Sequence, residues 1–223
     1  MTFQHYIWDF DGTLFDSYPH ITRAFQKALR KYGLTIAAEE ILPWVKLSLG
    51  KAVHHFKEQY GLDDRIWKIY DACEAEEDDT APVVPYNGVK QVCHEIYKHG
   101  YHNYLYTHRG DSALTYLNHY GLSPYFRDFI TSKDESPSKP ALDAILHLIN
   151  KFQIEPSTAV MIGDREIDVL AGTNAGIHGC LFDPDGFFRE FKAEYLVENM
   201  QEFMETFLVP ASVIREDSWA KME

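Results

Sequence analysis

Four short stretches of the sequence gather residue types that handle hard cations and phosphate. Asp9 and Asp11 flank Phe10 and run into Gly12-Thr13. Thr107, His108 and Arg109 stand together, Lys139 precedes Pro140, and Asp164 and Asp168 lie four residues apart. Carboxylates brought together repel one another unless a cation sits between them. Hard oxygen ligands select Mg2+ among the common cellular ions. A carboxylate is also a competent nucleophile toward phosphorus and forms an acyl phosphate. A second acid two residues away faces another direction in an extended chain, where it can protonate a leaving oxygen and later activate water. A lysine and a hydroxyl can hold non-bridging oxygens, helped by backbone N–H groups of the Asp11-Gly12 turn. Metal and lysine together offset the charge on a transferred phosphoryl group. Taken singly, each stretch has a blander reading. Asp-Gly is a common turn signal, Lys139 reads as a solvated helix start, and Asp168 reads as a capping or surface acid. Their order along the chain is what favours chemistry.

The elements that must position these residues follow from hydrophobic periodicity and punctuation. Residues 3–9 read as a strand ending at an acid. Ser17 and Pro19 open a helix that runs to Tyr32 and stops at Gly33. Helical patterns follow at roughly 49–60 and 64–78, and the acidic run Glu74 to Asp79 reads as a solvated helix end. Residues 80–87, with two prolines, read as a linker. After Gly88 the pattern alternates: helix 88–99, strand 102–107, helix 111–120, strand 129–131, helix 140–152, strand 159–163, helix 166–175, strands 178–182 and 195–197, and helix 200–208. The expectation is an α/β fold: a doubly wound, Rossmann-like parallel sheet with an inserted all-helical cap. The core spans 1–15 and 83–209, the cap 16–82, and a polar, frayed tail 210–223. Ligands bind such sheets at the carboxyl ends of strands, near the point where strand order reverses. Asp9, Thr107 and Asp164 all fall at predicted strand ends.

Composition narrows the field. The formal charge is −13 over 223 residues, with a pI near 5.2. A surface this acidic repels nucleic acid and anionic lipid, and no Lys/Arg-rich stripe overrides it. Any anionic substrate must therefore meet positive charge supplied by the site. The three cysteines form no CxxC pair and are odd in number, which fits small core residues in a reducing compartment. No apolar run approaches the ~20 residues that span a bilayer. Met1 to Phe10 lacks the basic and apolar regions of a targeting segment, and a soluble, cytoplasmic protein is expected.

The same residues carry a family resemblance. Asp9-Phe10-Asp11-Gly12-Thr13-Leu14 resembles the first signature of the haloacid dehalogenase superfamily. Thr107 after a strand matches the second, Lys139-Pro140 the third, and Gly163-Asp164-Arg165-Glu166-Ile167-Asp168 the fourth. About 95 residues separate Asp11 from Thr107 and only about 30 separate Thr107 from Lys139. That spacing is similar to the subgroup with a helical cap after the first signature, which includes phosphoglycolate phosphatase-like enzymes, β-phosphoglucomutase, pyrophosphatases and nucleotidases.

The resemblance implies a Mg2+-dependent phosphohydrolase that acts on a small phosphorylated metabolite through an aspartyl phosphate; a monomer is expected because the cap already covers the site. Asp9 would be nucleophile and metal ligand. Asp11 would be the acid/base, with its backbone carbonyl on the metal. Gly12, Thr107, His108 and Lys139 would bind the phosphoryl group, and Asp164 and Asp168 would hold the metal. An acid at position 11 disfavours dehalogenase and phosphonatase chemistry. A phosphosugar mutase of the β-phosphoglucomutase type and a non-catalytic phosphometabolite-binding protein remain as alternatives. One departure stands out: many relatives follow the second-signature Ser/Thr with Asn, whereas this chain has His108-Arg109. Arg109 reads equally as a group reaching an anionic leaving group or as a surface residue. In the cap, Lys51 and His20 are candidate substrate contacts, along with Lys46, Trp44 and Arg23.

Overall fold

In the computed structural model, which describes residues 3–80, 83–134 and 137–208, the strands in chain order are β1 (His5–Trp8), β2 (Phe15–Asp16), β3 (Val84–Pro85), β4 (His102–Tyr106), β5 (Phe126–Ile130), β6 (Ala159–Gly163), β7 (His178–Phe182) and β8 (Tyr195–Val197). The helices are α1 (Tyr18–Lys31), α2 (Ala38–Leu47), α3 (Leu49–Tyr60), α4 (Arg65–Thr80), α5 (Val89–Lys98), α6 (Ser112–His119), α7 (Asp143–Phe152), α8 (Glu166–Asn174) and α9 (Met200–Phe207). The chain divides into two compact units, Met1–Leu14 with Pro85–Glu223, and Phe15–Val84. The expected polar tail at 210–223 lies outside the described residues.

The first unit is built on a parallel sheet in the order β5-β4-β1-β6-β7-β8. β1 pairs with β4 on one edge, His5 opposite His102, and with β6 on the other, His5 opposite Ala159. After β1 the strand order grows outward through β4 to β5, then returns to β6 and runs the other way. β1 and β6 therefore flank the reversal point, where a crevice opens beyond the strand ends. Both faces of the sheet are covered, so its strands are apolar on both sides. On one face Ile7 and Met161 pack with Ala144, Ile145 and Leu148 of α7. On the other, Trp8 meets Phe203 of α9 with ring centroids 4.9 Å apart. The indole Nε1 of Trp8 donates to Asn103 Oδ1 at 2.9 Å, and the Asn103 amide donates to the carbonyls of Cys93 and Tyr125. A fully buried amide and indole N–H are thereby satisfied, as a low-dielectric interior requires.

The second unit, the helical cap region α1–α4, packs around Phe25, whose ring lies 5.5 Å from Phe56 and 6.2 Å from Tyr70. Burying each such ring contributes about 1.5–3 kcal/mol. α1 begins with Pro19 in its first turn and ends with Arg30 and Lys31, a charge order that suits the helix dipole. Two features differ from the sequence expectation. α2 is an additional helix, hidden in the sequence because Pro43 stands inside it and removes one backbone donor. The acidic run in α4 is not merely solvated: Glu77 is buried and pairs with Arg23 at 2.8 Å and Lys27 at 2.6 Å. Burial opposes the Glu77 charge, but hydrogen bonds from Lys27 and Arg23 hold its carboxyl below the ordinary value. β2 and β3 form a separate two-stranded sheet. Cys73, Cys93 and Cys180 are free and buried. No helix among the described residues is long and apolar enough to cross a membrane.

Candidate active site

Three neighbouring strands, β4, β1 and β6, are followed directly by Thr107, Asp9 and Asp164 respectively, so their parallel pairing alone sets these residues side by side at the carboxyl end of the sheet. Asp9 N–H donates to Ile162 O at 2.9 Å, which continues the β1–β6 ladder to the acid itself. The chain then turns through Gly12, whose φ of +71° is in the left-handed region that glycine adopts without strain. Asp168, in the first turn of α8, accepts from Arg165 N–H at 3.1 Å within a capping box. It comes so close to the strand end that a Cβ on Gly163 would sit 2.1 Å from the Asp168 Cβ. The glycine of the fourth signature is what lets this acid reach the site.

Asp9, Asp164 and Asp168 are all buried, and each presents an oxygen within 4.8 Å of the others. Lys139 stands among them, with its side chain wholly out of solvent. Its Nζ is 2.8 Å from Asp9 Oδ1 and 2.8 Å from Asp168 Oδ1, and lies 4.7 Å from the centre of the Tyr106 ring. Burial works against the Lys139 ammonium, but Asp168 and then Asp9 carry its pKa above the ordinary value. Burial likewise opposes the Asp168 carboxylate, yet Lys139 and Arg165 hold it below the ordinary value. For Asp9 the balance goes the other way: burial, with Asp168 adding to it, outweighs Lys139 and raises its pKa. One ammonium does not neutralise this group of acids.

Mg2+ fits the residues present. The donors are hard carboxylate oxygens, they converge within the span of one ion, and Asp9 Oδ2 is buried without a hydrogen bond. Asp9, Asp164 and Asp168 would hold the ion. The sequence reading passed over Arg165, whose guanidinium lies 3.6 Å from Asp9, 3.9 Å from Asp164 and 3.7 Å from Asp168. The signal for it was a basic residue set between the two acids of one signature.

Thr107 is buried, and its Oγ1 accepts from Arg109 N–H at 3.1 Å, so the hydroxyl hydrogen is left to donate elsewhere. His108 Nε2 accepts the Lys139 backbone N–H at 3.0 Å. The residue is nonetheless exposed to solvent over part of its surface. Loss of water around the rest, with Lys139 and Arg165 adding to it, pulls its pKa down to about 4. A neutral imidazole is the form that can accept this hydrogen bond. Arg109 is not a surface residue: its side chain is 8% exposed and pairs with Asp11.

The cap candidates belong to the other unit. His20 is buried in α1. Lys51 is exposed in the first turn of α3, where its N–H donates to the Ser48 side chain at 3.0 Å. Lys51 lines a groove of about 480 Å³ with Trp44 and His55, whose rings stack at 3.8 Å. Lys46 is buried, with its Nζ 5.4 Å from the Tyr18 ring.

The chain is similar to known proteins over most of its length. The chain is 24% identical over 206 residues to the pyrophosphatase PpaX of Listeria innocua, covering 89% of this chain and 93% of that protein. It is 28% identical over 181 residues to phosphoglycolate phosphatase 1 of Pseudomonas aeruginosa, covering 77% and 66% respectively. The crystal structure of a hydrolase from Streptococcus pneumoniae matches with a TM-score of 0.64 at 32% identity, covering 85% of this chain and 98% of that one. The haloacid dehalogenase-like hydrolase family matches residues 6–182, and the chain belongs to that family.

Proposed function

We propose that this hydrolase is a Mg2+-dependent phosphatase of small phosphate esters that works through an aspartyl phosphate on Asp9. The observation that supports this most is the buried ion-pair set in which one lysine, Lys139, touches two acids, Asp9 and Asp168, at 2.8 Å. A lysine so placed can orient the Asp9 carboxylate and meet the incoming phosphoryl oxygens with positive charge in a site shielded from water. The ion, when bound, would add electrostatic stabilisation of the phosphoryl group.

In this reading an Asp9 oxygen attacks phosphorus as the bond to the leaving oxygen breaks, and Asp11 gives that oxygen its proton. Water then attacks the acyl phosphate. Asp11 takes a proton from the water, phosphate leaves and Asp9 is regenerated. Thr107 Oγ1, with its hydrogen still to donate, binds a non-bridging oxygen, as do the backbone N–H groups of the Gly12 turn. His108 acts at one remove, fixing the Lys139 backbone. The names of the relatives make pyrophosphate and phosphoglycolate the first compounds to try.

The test is phosphate release from a panel holding both of these, sugar phosphates and nucleotides, with Mg2+ and with chelator. Mg2+-dependent release that disappears in Asp9→Asn is the expected result. Turnover at the wild-type rate in folded Asp9→Asn overturns the reading.

A further inference from the structure

Asp11 has an unusual neighbour. Arg109 Nε lies 3.1 Å from Asp11 Oδ1 and 3.2 Å from Oδ2, and Arg109 Nη2 lies 2.9 Å from Oδ1. Both carboxylate oxygens are thus engaged by two nitrogens of one planar group. The two residues are 98 positions apart in sequence and come from the loops that follow adjacent strands β1 and β4.

The arginine is more fixed than the acid it holds. Its side chain is 8% exposed and that of Asp11 is 24% exposed. The guanidinium carbon lies 5.3 Å from the centre of the Phe10 ring, Nη1 is 3.4 Å from Ser112 Oγ, and the backbone N–H is tied to Thr107 Oγ1. A rigid fork of donors loses little freedom when it grips a carboxylate. The carboxylate torsion of an aspartate is intrinsically broad, and a fork that engages both oxygens narrows it.

We propose that Arg109 is a positioning residue for Asp11: it sets the orientation from which Asp11 exchanges a proton with the leaving group, and it does not itself read the substrate. This rests on the reading of Asp11 as acid/base. Two of the three guanidinium nitrogens already face Asp11, which argues against a contact to an anionic leaving group. General-acid catalysis needs the donor within hydrogen-bond reach of the leaving oxygen, and misplacement by about 1 Å lowers rate about 10²-fold. The same loop carries Thr107, so one turn aligns a phosphoryl-binding hydroxyl with the proton donor.

The test compares kcat/KM, which reports events up to departure of the leaving group, for two esters in the full chain with Mg2+. One is an alkyl phosphate, whose alkoxide must be protonated as it leaves. The other is p-nitrophenyl phosphate, whose phenolate leaves without help. Arg109→Ala and Arg109→Gln, checked for native melting, should lose about 10²-fold on the alkyl ester, through kcat with KM little changed, and far less on the aryl ester. Arg109→Lys, which keeps the charge and loses the fork, should recover only part of the loss. Equal losses on both esters, or a rise in KM confined to esters with an anionic leaving group, overturn the proposal. Wild-type activity in the Arg109 variants alongside an inactive Asp11→Asn overturns it too, while leaving the role of Asp11 standing. Wild-type alkyl-ester turnover in Asp11→Asn removes the reading on which it rests.

Discussion

Lys139 Nζ stands 2.8 Å from Asp9 Oδ1 with neither side chain more than 2% exposed. A lysine this deep is held by its acids as much as it serves them. Lys139→Met removes the ammonium and leaves Asp9 and Asp168 facing each other in low dielectric. Breaking a buried pair in this way costs about 3–5 kcal/mol. The urea midpoint should fall accordingly and turnover should drop at least about 10²-fold. A wild-type midpoint in Lys139→Met would show that the ion pairs contribute nothing to stability.

The acidic set predicts stabilisation by Mg2+ that is independent of turnover. A ligand at 100 times its Kd adds about 2.7 kcal/mol when it binds only the folded state. Thermal melting should therefore rise with Mg2+ and return to its starting value with chelator. Asp164→Asn should reduce the rise. Identical melting with and without Mg2+ would remove Asp9, Asp164 and Asp168 as an ion site.

Gly163 should not tolerate a side chain. The added methyl of Gly163→Ala would overlap Asp168 Cβ at 2.1 Å, and its nearest contacts are all atoms of that one residue. Overpacking of this kind costs about 1–3 kcal/mol, and the movement that relieves it displaces Asp168 from Lys139. Loss of activity should exceed what the fall in stability explains at the assay temperature. Wild-type activity and melting would mean that the strand end has more room than the structure shows.

Acid sensitivity should come in part from the opposite end of the sheet. Burial, with His102 and Arg127 adding to it, lowers the His5 pKa from 6.5 to about 4. Its Nδ1 lies 3.0 Å from the Tyr104 hydroxyl, and burial raises the pKa of that phenol to about 12, so the ring faces a neutral phenol. Between those two His5 values the unfolded chain binds a proton that the folded chain does not. Stability contributed by His5 is complete above about pH 6.5 and falls as pH drops toward 4. His5→Phe should flatten the fall in urea midpoint across that window, and an unchanged slope would assign the acid sensitivity elsewhere.

The site was legible where one residue's position in the chain fixes its position in space. Asp9, Thr107 and Asp164 each directly follow a strand, and parallel pairing of β4, β1 and β6 does the rest. Lys139 needed more, because its Nζ reaches the acids from a loop that the periodic pattern does not place; its family signature identified it. Arg109 and Glu77 were harder to place, because composition and spacing treat a charged side chain on a loop or helix end as solvated unless a partner is visible. Their partners Asp11 and Arg23 lie 98 and 54 residues away in sequence, a separation that hydrophobic pattern does not encode. α2 was lost to Pro43, whose local preference is overridden by the burial of Ile41 and Val45 around it.

The central place of β1 also bears on how the chain acquires its structure during synthesis. Residues 5–8 leave the ribosome well before their partners, residues 102–105 and 159–162. Such distant pairings form slowly, and until then this apolar segment has no neighbours and two open edges of the sort that template aggregation. Translation must advance past residue 162 before the strand is flanked on both sides. The strand that leads into Asp9 is thus made long before it is flanked on both sides, and nascent chains truncated short of β6 should be the ones that chaperones hold.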